Sequence, residues 1–182
     1  LLHLQCHFGL DTLSWARLGA DCTGVDISPV AIEKARQLNE SAGLDAKFVC
    51  SDVYGYSLGD EAPFDIVFTS YGTICWLPDL DKWAQVVSSN LAPGGIFYMA
   101  DFHPVYDLLD GYSYFEQDEP DVEEEETYTE NSGDLNTPLA VWSHPLSRVV
   151  NALINAGISI QRLNEYPFSP YDCFKGMKER EP

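Results

Sequence analysis

Apolar positions along this chain switch repeatedly between a strand spacing and a helix spacing. Leu1 to Gln5 is a short apolar run that predicts a strand. Leu10, Leu13, Ala16 and Leu18 then recur at helical intervals until Gly19 stops them. Cys22 to Ile27 predicts a second strand, and Ser28-Pro29 opens a second helix. The serine oxygen can cap free amides there, and proline suits the first helical turn. Ala31, Ala35, Leu38 and Ala42 form its buried stripe, and Gly43 suits the left-handed residue past its end. Strands are predicted at Ala46 to Cys50 and Phe64 to Thr69. Leu80, Trp83, Ala84, Val87 and Leu91 mark one face of a helix, which Pro93-Gly94-Gly95 breaks before a fifth strand at Ile96 to Ala100. Five strands alternating with helices imply parallel pairing through right-handed crossovers. The predicted architecture is α/β: a doubly wound, mostly parallel sheet in a three-layer α/β/α sandwich.

After the fifth strand the alternation stops. Residues 104–140 read as an insert within a single domain spanning 1–182. Tyr112 to Phe115 and Glu126 to Thr129 are candidates to pair as an antiparallel hairpin. Leu146, Val149, Val150, Leu153 and Ile154 then mark a helix ended by Gly157, with a sixth strand expected at Ile158 to Leu163. The chain opens on a strand without an initiating Met, so further sequence is expected at that end.

Charge narrows the partners. The formal net charge is −19, and no Lys or Arg lies between Lys82 and Arg148. Nucleic acid needs a basic face, so it is not expected as a substrate. Asp107 to Asp134 holds twelve acids and no base, which reads as a solvated acidic excursion. No apolar run is long enough to span a bilayer. The cysteines number five, an odd count, with no Cys-x-x-Cys pair. Neither a disulfide framework nor a metal site is therefore expected, and the compartment reads as the reducing cytoplasm.

Doubly wound sheets bind ligands beyond the carboxyl ends of their strands. The first such end reads Gln5-Cys6-His7-Phe8-Gly9-Leu10-Asp11. A dinucleotide turn would carry three glycines there for a pyrophosphate, but only Gly9 is present, and Asp11 adds a negative charge. Such a turn argues against a nicotinamide or flavin dinucleotide and suits a ligand with a cationic or zwitterionic end. Asp26 ends the second strand seventeen residues after Gly9, placed to accept from both ribose hydroxyls, with Ile27 beside it. Each such charge-assisted bond contributes roughly 1.5–3 kcal/mol. Asp26 is also placed to help cap the following helix, but Ser28 can already do so. Asp52 follows the third strand, suited to an adenine amino group, with Val53 to pack on the ring. A local turn is the competing role for Asp52. The fourth strand ends in Thr69, Ser70 and Tyr71, candidates to line cofactor and acceptor.

Together these stretches resemble the class I S-adenosylmethionine-dependent methyltransferase family. The first family motif usually reads acid-x-Gly-x-Gly-x-Gly; here His3 stands for the acid, and Gln5 and His7 for the first two glycines. Leu91-Ala92-Pro93-Gly94-Gly95 also matches the family before its fifth strand. The resemblance implies a Rossmann-like sheet and S-adenosylmethionine as cofactor. Its implied contacts are Gln5, Cys6, His7 and Gly9, then Asp26 and Ile27, Asp52 and Val53, and Ser70 and Tyr71. It implies methyl transfer to a small-molecule acceptor, or alternatively a non-catalytic S-adenosylmethionine-binding protein. It also implies an antiparallel seventh strand between the fifth and sixth. None is evident before Pro182, so sequence is expected beyond that end too. Methyl transfer requires a base only when the acceptor must lose a proton. Tyr71, His103 and His144 are the candidates, and the histidines are expected near the rim of the ligand end. The insert is expected over the acceptor site, its acids favouring a cationic or amine acceptor.

Overall fold

The computed structural model of the chain describes residues 1–59, 62–126 and 136–169. A five-stranded parallel sheet has β1 (Leu2–Leu4) at its centre, in the order β3-β2-β1-β4-β5. The other strands are β2 (Thr23–Asp26), β3 (Lys47–Cys50), β4 (Phe64–Ser70) and β5 (Leu91–Ala100). Helices α1 (Leu10–Arg17) and α2 (Pro29–Ser41) pack on one face, around Leu13, Ile32, Ala35 and Phe48. Helices α3 (Leu80–Asn90) and α5 (Leu146–Asn155) pack on the other, around Leu2, Leu4, Val67, Trp83 and Leu153. The expected doubly wound, Rossmann-like sandwich is therefore present. Among the described residues no helix is long and apolar enough to cross a membrane.

Local chemistry explains why the elements stop where they do. Ser28 caps α2, its hydroxyl accepting from the Ala31 amide at 3.2 Å. At α2 the Gly43 amide reaches Glu40 and the Leu44 amide reaches Asn39; at α5 the Gly157 amide reaches Ile154 and the Ile158 amide reaches Leu153. These are the paired bonds of a Schellman motif, which consume the last free carbonyls of a helix. The Pro93-Gly94-Gly95 segment behaves differently from the predicted break. It lies inside β5 as a bulge, because Phe64 pairs with Leu91 while Ile66 already pairs with Ile96. A Cβ at Gly95 would come within 2.9 Å of the Asp65 and Ala92 carbonyls.

Two expectations are corrected. The hairpin forms between β6 (Asp121–Glu126) and β7 (Asn136–Val141), not from Tyr112 to Phe115. A short helix α4 (Val105–Asp110) precedes that tyrosine segment, and the Tyr112 amide is held by the Asp107 carbonyl, so the segment turns instead of extending. Thr127 to Thr129 lie outside the described residues, as does Cys173. The stretch from Ile158 to Leu163 forms no strand. Among the described residues the sheet ends at β5, and no ladder is supplied for this stretch, leaving Ile160 and Leu163 exposed.

The insert is tied down by charge. Arg148 of α5 holds Asp81 of α3 through two bonds of 2.8 and 3.0 Å and reaches Glu116 of the insert at 3.3 Å. Trp142, just after β7, donates its amide to the Cys75 carbonyl at 2.8 Å.

Trp83 is fully buried and meets Phe97 edge-on at 5.6 Å. Trp83→Ala is expected to cost about 3–5 kcal/mol, read from urea denaturation. A loss below about 1 kcal/mol would show that the α3 face is not what holds this side of the sheet.

Candidate functional site

The strand order reverses between β1 and β4, so the crevice at their carboxyl ends is the switch point where such sheets take ligands. The loop from β1 to α1 forms one wall. In it Gln5, His7 and Gly9 have φ of 58°, 50° and 72°. These are the positions where the family motif carries glycine, and the backbone keeps the left-handed conformation without two of the three glycines. Each non-glycine residue there costs on the order of 1 kcal/mol. Side-chain and backbone bonds offset that cost. Gln5 Nε2 donates to the Thr73 carbonyl at 2.8 Å, bridging the crevice from β1 to the loop after β4. The His7 amide donates to Asp26 Oδ2 at 2.8 Å.

Gly9 has a second constraint. A Cβ at that position would sit 2.4 Å from the ring of Phe48, which projects from β3 under the loop. Cys6 also faces inward. Its thiol is buried in the same cluster, and burial pushes its pKa up to about 12, so only its backbone belongs to the ligand edge.

Asp26 takes the second role weighed from the sequence, at the start of α2. Its Oδ1 accepts from the Ser28 amide at 2.9 Å and its Oδ2 from His7. Each oxygen keeps a second lone pair for a ligand. Ile27 beside it is 69% exposed, an apolar surface with no protein cover. Asp52 caps a short 3-10 turn at Val53–Gly55 by accepting from the Tyr54 amide at 3.0 Å. Val53 is buried in the core, so its side chain supports the turn from below.

At the β4 end, Ser70 is buried with its hydroxyl bonded to Asp11, and Tyr71 follows it at the surface. Tyr71 has φ 46° and is 39% exposed, with burial and the Asp11 charge both raising its phenol pKa. The following loop is clamped by Asp101 at the end of β5. The Asp101 carboxylate accepts from the Gly72 amide at 2.5 Å and from Phe102 at 2.8 Å, with Thr73 and Ile74 farther away. Burial pushes this carboxyl above its usual range, and the amides offset part of that push. Sequence reasoning missed Asp101; its position one residue past β5 was the available signal.

The histidines divide. His103 accepts from the Val105 amide through Nδ1 and bonds Glu165 through Nε2 at 2.5 Å, so both ring nitrogens are engaged. His144 is not at an open rim. It is 3% exposed, its Nε2 donates to the Leu77 carbonyl at 2.8 Å, and burial lowers its pKa. The rim position expected for it is corrected accordingly: the ring is buried beside Leu77 and Glu116 of the insert.

A buried relay was also missed. His3 lies 2.8 Å from Thr12 Oγ1 through Nδ1 and 3.2 Å from Ser70 Oγ through Nε2. The Ser70 hydroxyl donates to Asp11 Oδ2 at 2.9 Å. A hydroxyl has one proton, so Ser70 accepts from His3 Nε2–H, and Thr12 donates to Nδ1. Burial lowers the His3 pKa to about 4 despite Asp11 and Asp26, which both raise it.

Residues 1–95 match the family model described as "Methyltransferase domain". A sterol 4-C-methyltransferase of Caenorhabditis elegans is 30% identical over 115 residues, 62% of this chain and 32% of that protein. A ubiquinone biosynthesis O-methyltransferase of Xanthomonas euvesicatoria is 28% identical over 100 residues, 55% of this chain and 41% of that protein. The chain thus matches less than half the length of either relative. The crystal structure of an S-adenosylmethionine-dependent methyltransferase from Clostridium acetobutylicum superposes with a TM-score of 0.67 at 18% identity, over 85% of this chain and 71% of that one.

The neutral relay predicts how stability responds to acid. The unfolded chain takes up the His3 proton near pH 6.5 and the folded chain only near 4. Between these values the unfolded state binds more protons, so stability falls as pH falls, by on the order of 3 kcal/mol from this group. In an NMR titration the His3 ring signals are expected to stay constant from pH 8 down to about 5. A midpoint near 6.5 would refute the neutral relay.

Proposed function

The chain belongs to the class I S-adenosylmethionine-dependent methyltransferase family, and from that membership we propose that it transfers a methyl group from S-adenosylmethionine to a small-molecule acceptor. The observation that carries the proposal is the set of acceptor atoms at the β1–β4 switch point. Gln5 Oε1 is buried there without a partner among the described residues, which suits an N–H donor brought by a ligand. Asp26 offers its remaining lone pairs to ribose hydroxyls, and exposed Ile27 offers an apolar surface to a purine. Asp52 would take the adenine amino group. Gln5, His7 and Gly9 shape the backbone on which the methionine end would lie, with Cys6 contributing main chain only.

A methyl group on a sulfonium is already activated by the positive charge of its leaving group, so alignment supplies most of the catalysis. The chain's contribution is position. Asp101 fixes the loop after β4, in which Tyr71 would meet the acceptor, and Ser70 ends the strand before it. Tyr71 is the phenol nearest to the role of acceptor contact, while His103 would act on an acceptor only by giving up Glu165 or its own turn. The insert would wall the acceptor site, since Trp142 holds the turn that follows β4. Its acidity would favour a cationic or amine acceptor. We also assign the protein no nucleic-acid or membrane partner and a cytoplasmic location. The net charge of −19 supports the first, and the four described cysteines, all free, fit a reducing compartment.

Calorimetric titration with S-adenosylmethionine tests the reading. Micromolar binding is expected, weakened at least tenfold, about 1.4 kcal/mol, by Asp26→Ala. Absence of binding by the wild-type protein would overturn the reading. Binding without turnover on sterol-like, quinol-like and amine acceptors would favour the non-catalytic alternative.

A further inference from the structure

Two carboxylates flank the loop between β1 and α1. Asp26 stands at the β2 side and Asp11, in the first turn of α1, at the β4 side. Among the described residues neither forms an ion pair with a cationic side chain. Two uncompensated carboxylates around one crevice repel each other and favour a ligand that carries positive charge. The two are held differently. Both Asp26 oxygens take backbone amides, as described above. Asp11 is held on one oxygen only, by the Ser70 hydroxyl at 2.9 Å, and Oδ1 has no protein donor among the described residues.

Behind Ser70 stands His3, buried and itself fixed by Thr12. The group that orients Asp11 is thus a chain of neutral donors with no countercharge. A neutral chain fixes the carboxylate's direction without cancelling its field. His3 occupies the position where the first motif usually carries its acid. The negative charge has moved from the strand to the first turn of the helix, onto the crevice wall beside Tyr71.

On the reading that this crevice binds S-adenosylmethionine, we propose that Asp11 Oδ1 anchors the α-ammonium of the cofactor's amino-acid end, with Ser70, His3 and Thr12 as its positioning residues. The carboxylate is held by a hydroxyl on its other oxygen, which favours a fixed anionic partner over a proton acceptor.

Calorimetry with three probes tests this assignment on wild-type protein and Asp11→Asn. S-adenosylmethionine carries both ammonium and sulfonium, S-adenosylhomocysteine the ammonium alone, and 5′-methylthioadenosine neither. Asp11→Asn is expected to weaken the first two about tenfold or more, each to a similar extent, and to leave the third within twofold. Loss confined to S-adenosylmethionine would assign Asp11 to the sulfonium and overturn the proposal. Equal loss of all three, or no loss, would also overturn it. If wild type binds none of the three, the cofactor reading itself fails, a result separable from the others. Ser70→Ala keeps the carboxylate and removes its orienting hydroxyl. It is expected to give a smaller loss, again sparing 5′-methylthioadenosine, and it keeps the test open should Asp11→Asn melt far below wild type.

Discussion

The left-handed backbone at Gln5, His7 and Gly9 is the constraint on which the ligand edge depends. It turns the chain sharply out of β1 and into α1, and so brings Asp11 across to β4 and the His7 amide across to Asp26. Glycine reaches this conformation without strain; glutamine and histidine do not. Here the conformation is imposed from outside the loop. Phe48 fills the space beneath Gly9, the Thr73 carbonyl holds the Gln5 side chain, and Asp26 holds the His7 amide. Neighbours on three strands or their loops thus over-determine a geometry that the local sequence disfavours.

That division also explains what the sequence revealed. Helix stops at Gly43 and Gly157, the cap at Ser28 and the alternation of strands and helices are local chemistry, and all are visible in the residues themselves. The candidate cofactor acids could be found because each follows directly on a strand. What stayed hidden depends on distance along the chain. His3 meets Ser70 sixty-seven residues away, and Asp101 clamps amides twenty-seven to twenty-nine residues back. No window of sequence contains both partners. His144 misled for the same reason, because its burial depends on the insert and on Leu77. The stretch at Ile158 to Leu163 has a strand's composition, but composition does not supply a neighbour to pair with.

Electrostatics separates the two ends of this acidic chain. In the insert, Glu116 shares Arg148 with Asp81, so this one carboxylate is matched by a cation and fastens the insert to α3 and α5. At the crevice, Asp11 and Asp26 are kept apart by the loop and receive only neutral donors. A carboxylate bonded by amides and hydroxyls is fixed in direction with no countercharge beside it, whereas one paired with arginine has its charge opposed at close range.

The packing of Phe48 against Gly9 and Gly24 has a consequence for how such chains are found. A side chain at Gly9 or Gly24 would meet the Phe48 ring, so those glycines and that ring fit as a set, whereas Gln5 and His7 hold the same left-handed backbone without glycine. A search pattern that counts glycines in the first turn would pass over this molecule. A pattern that pairs the last glycine of the turn with an aromatic in the third strand, some forty residues later, would retain it.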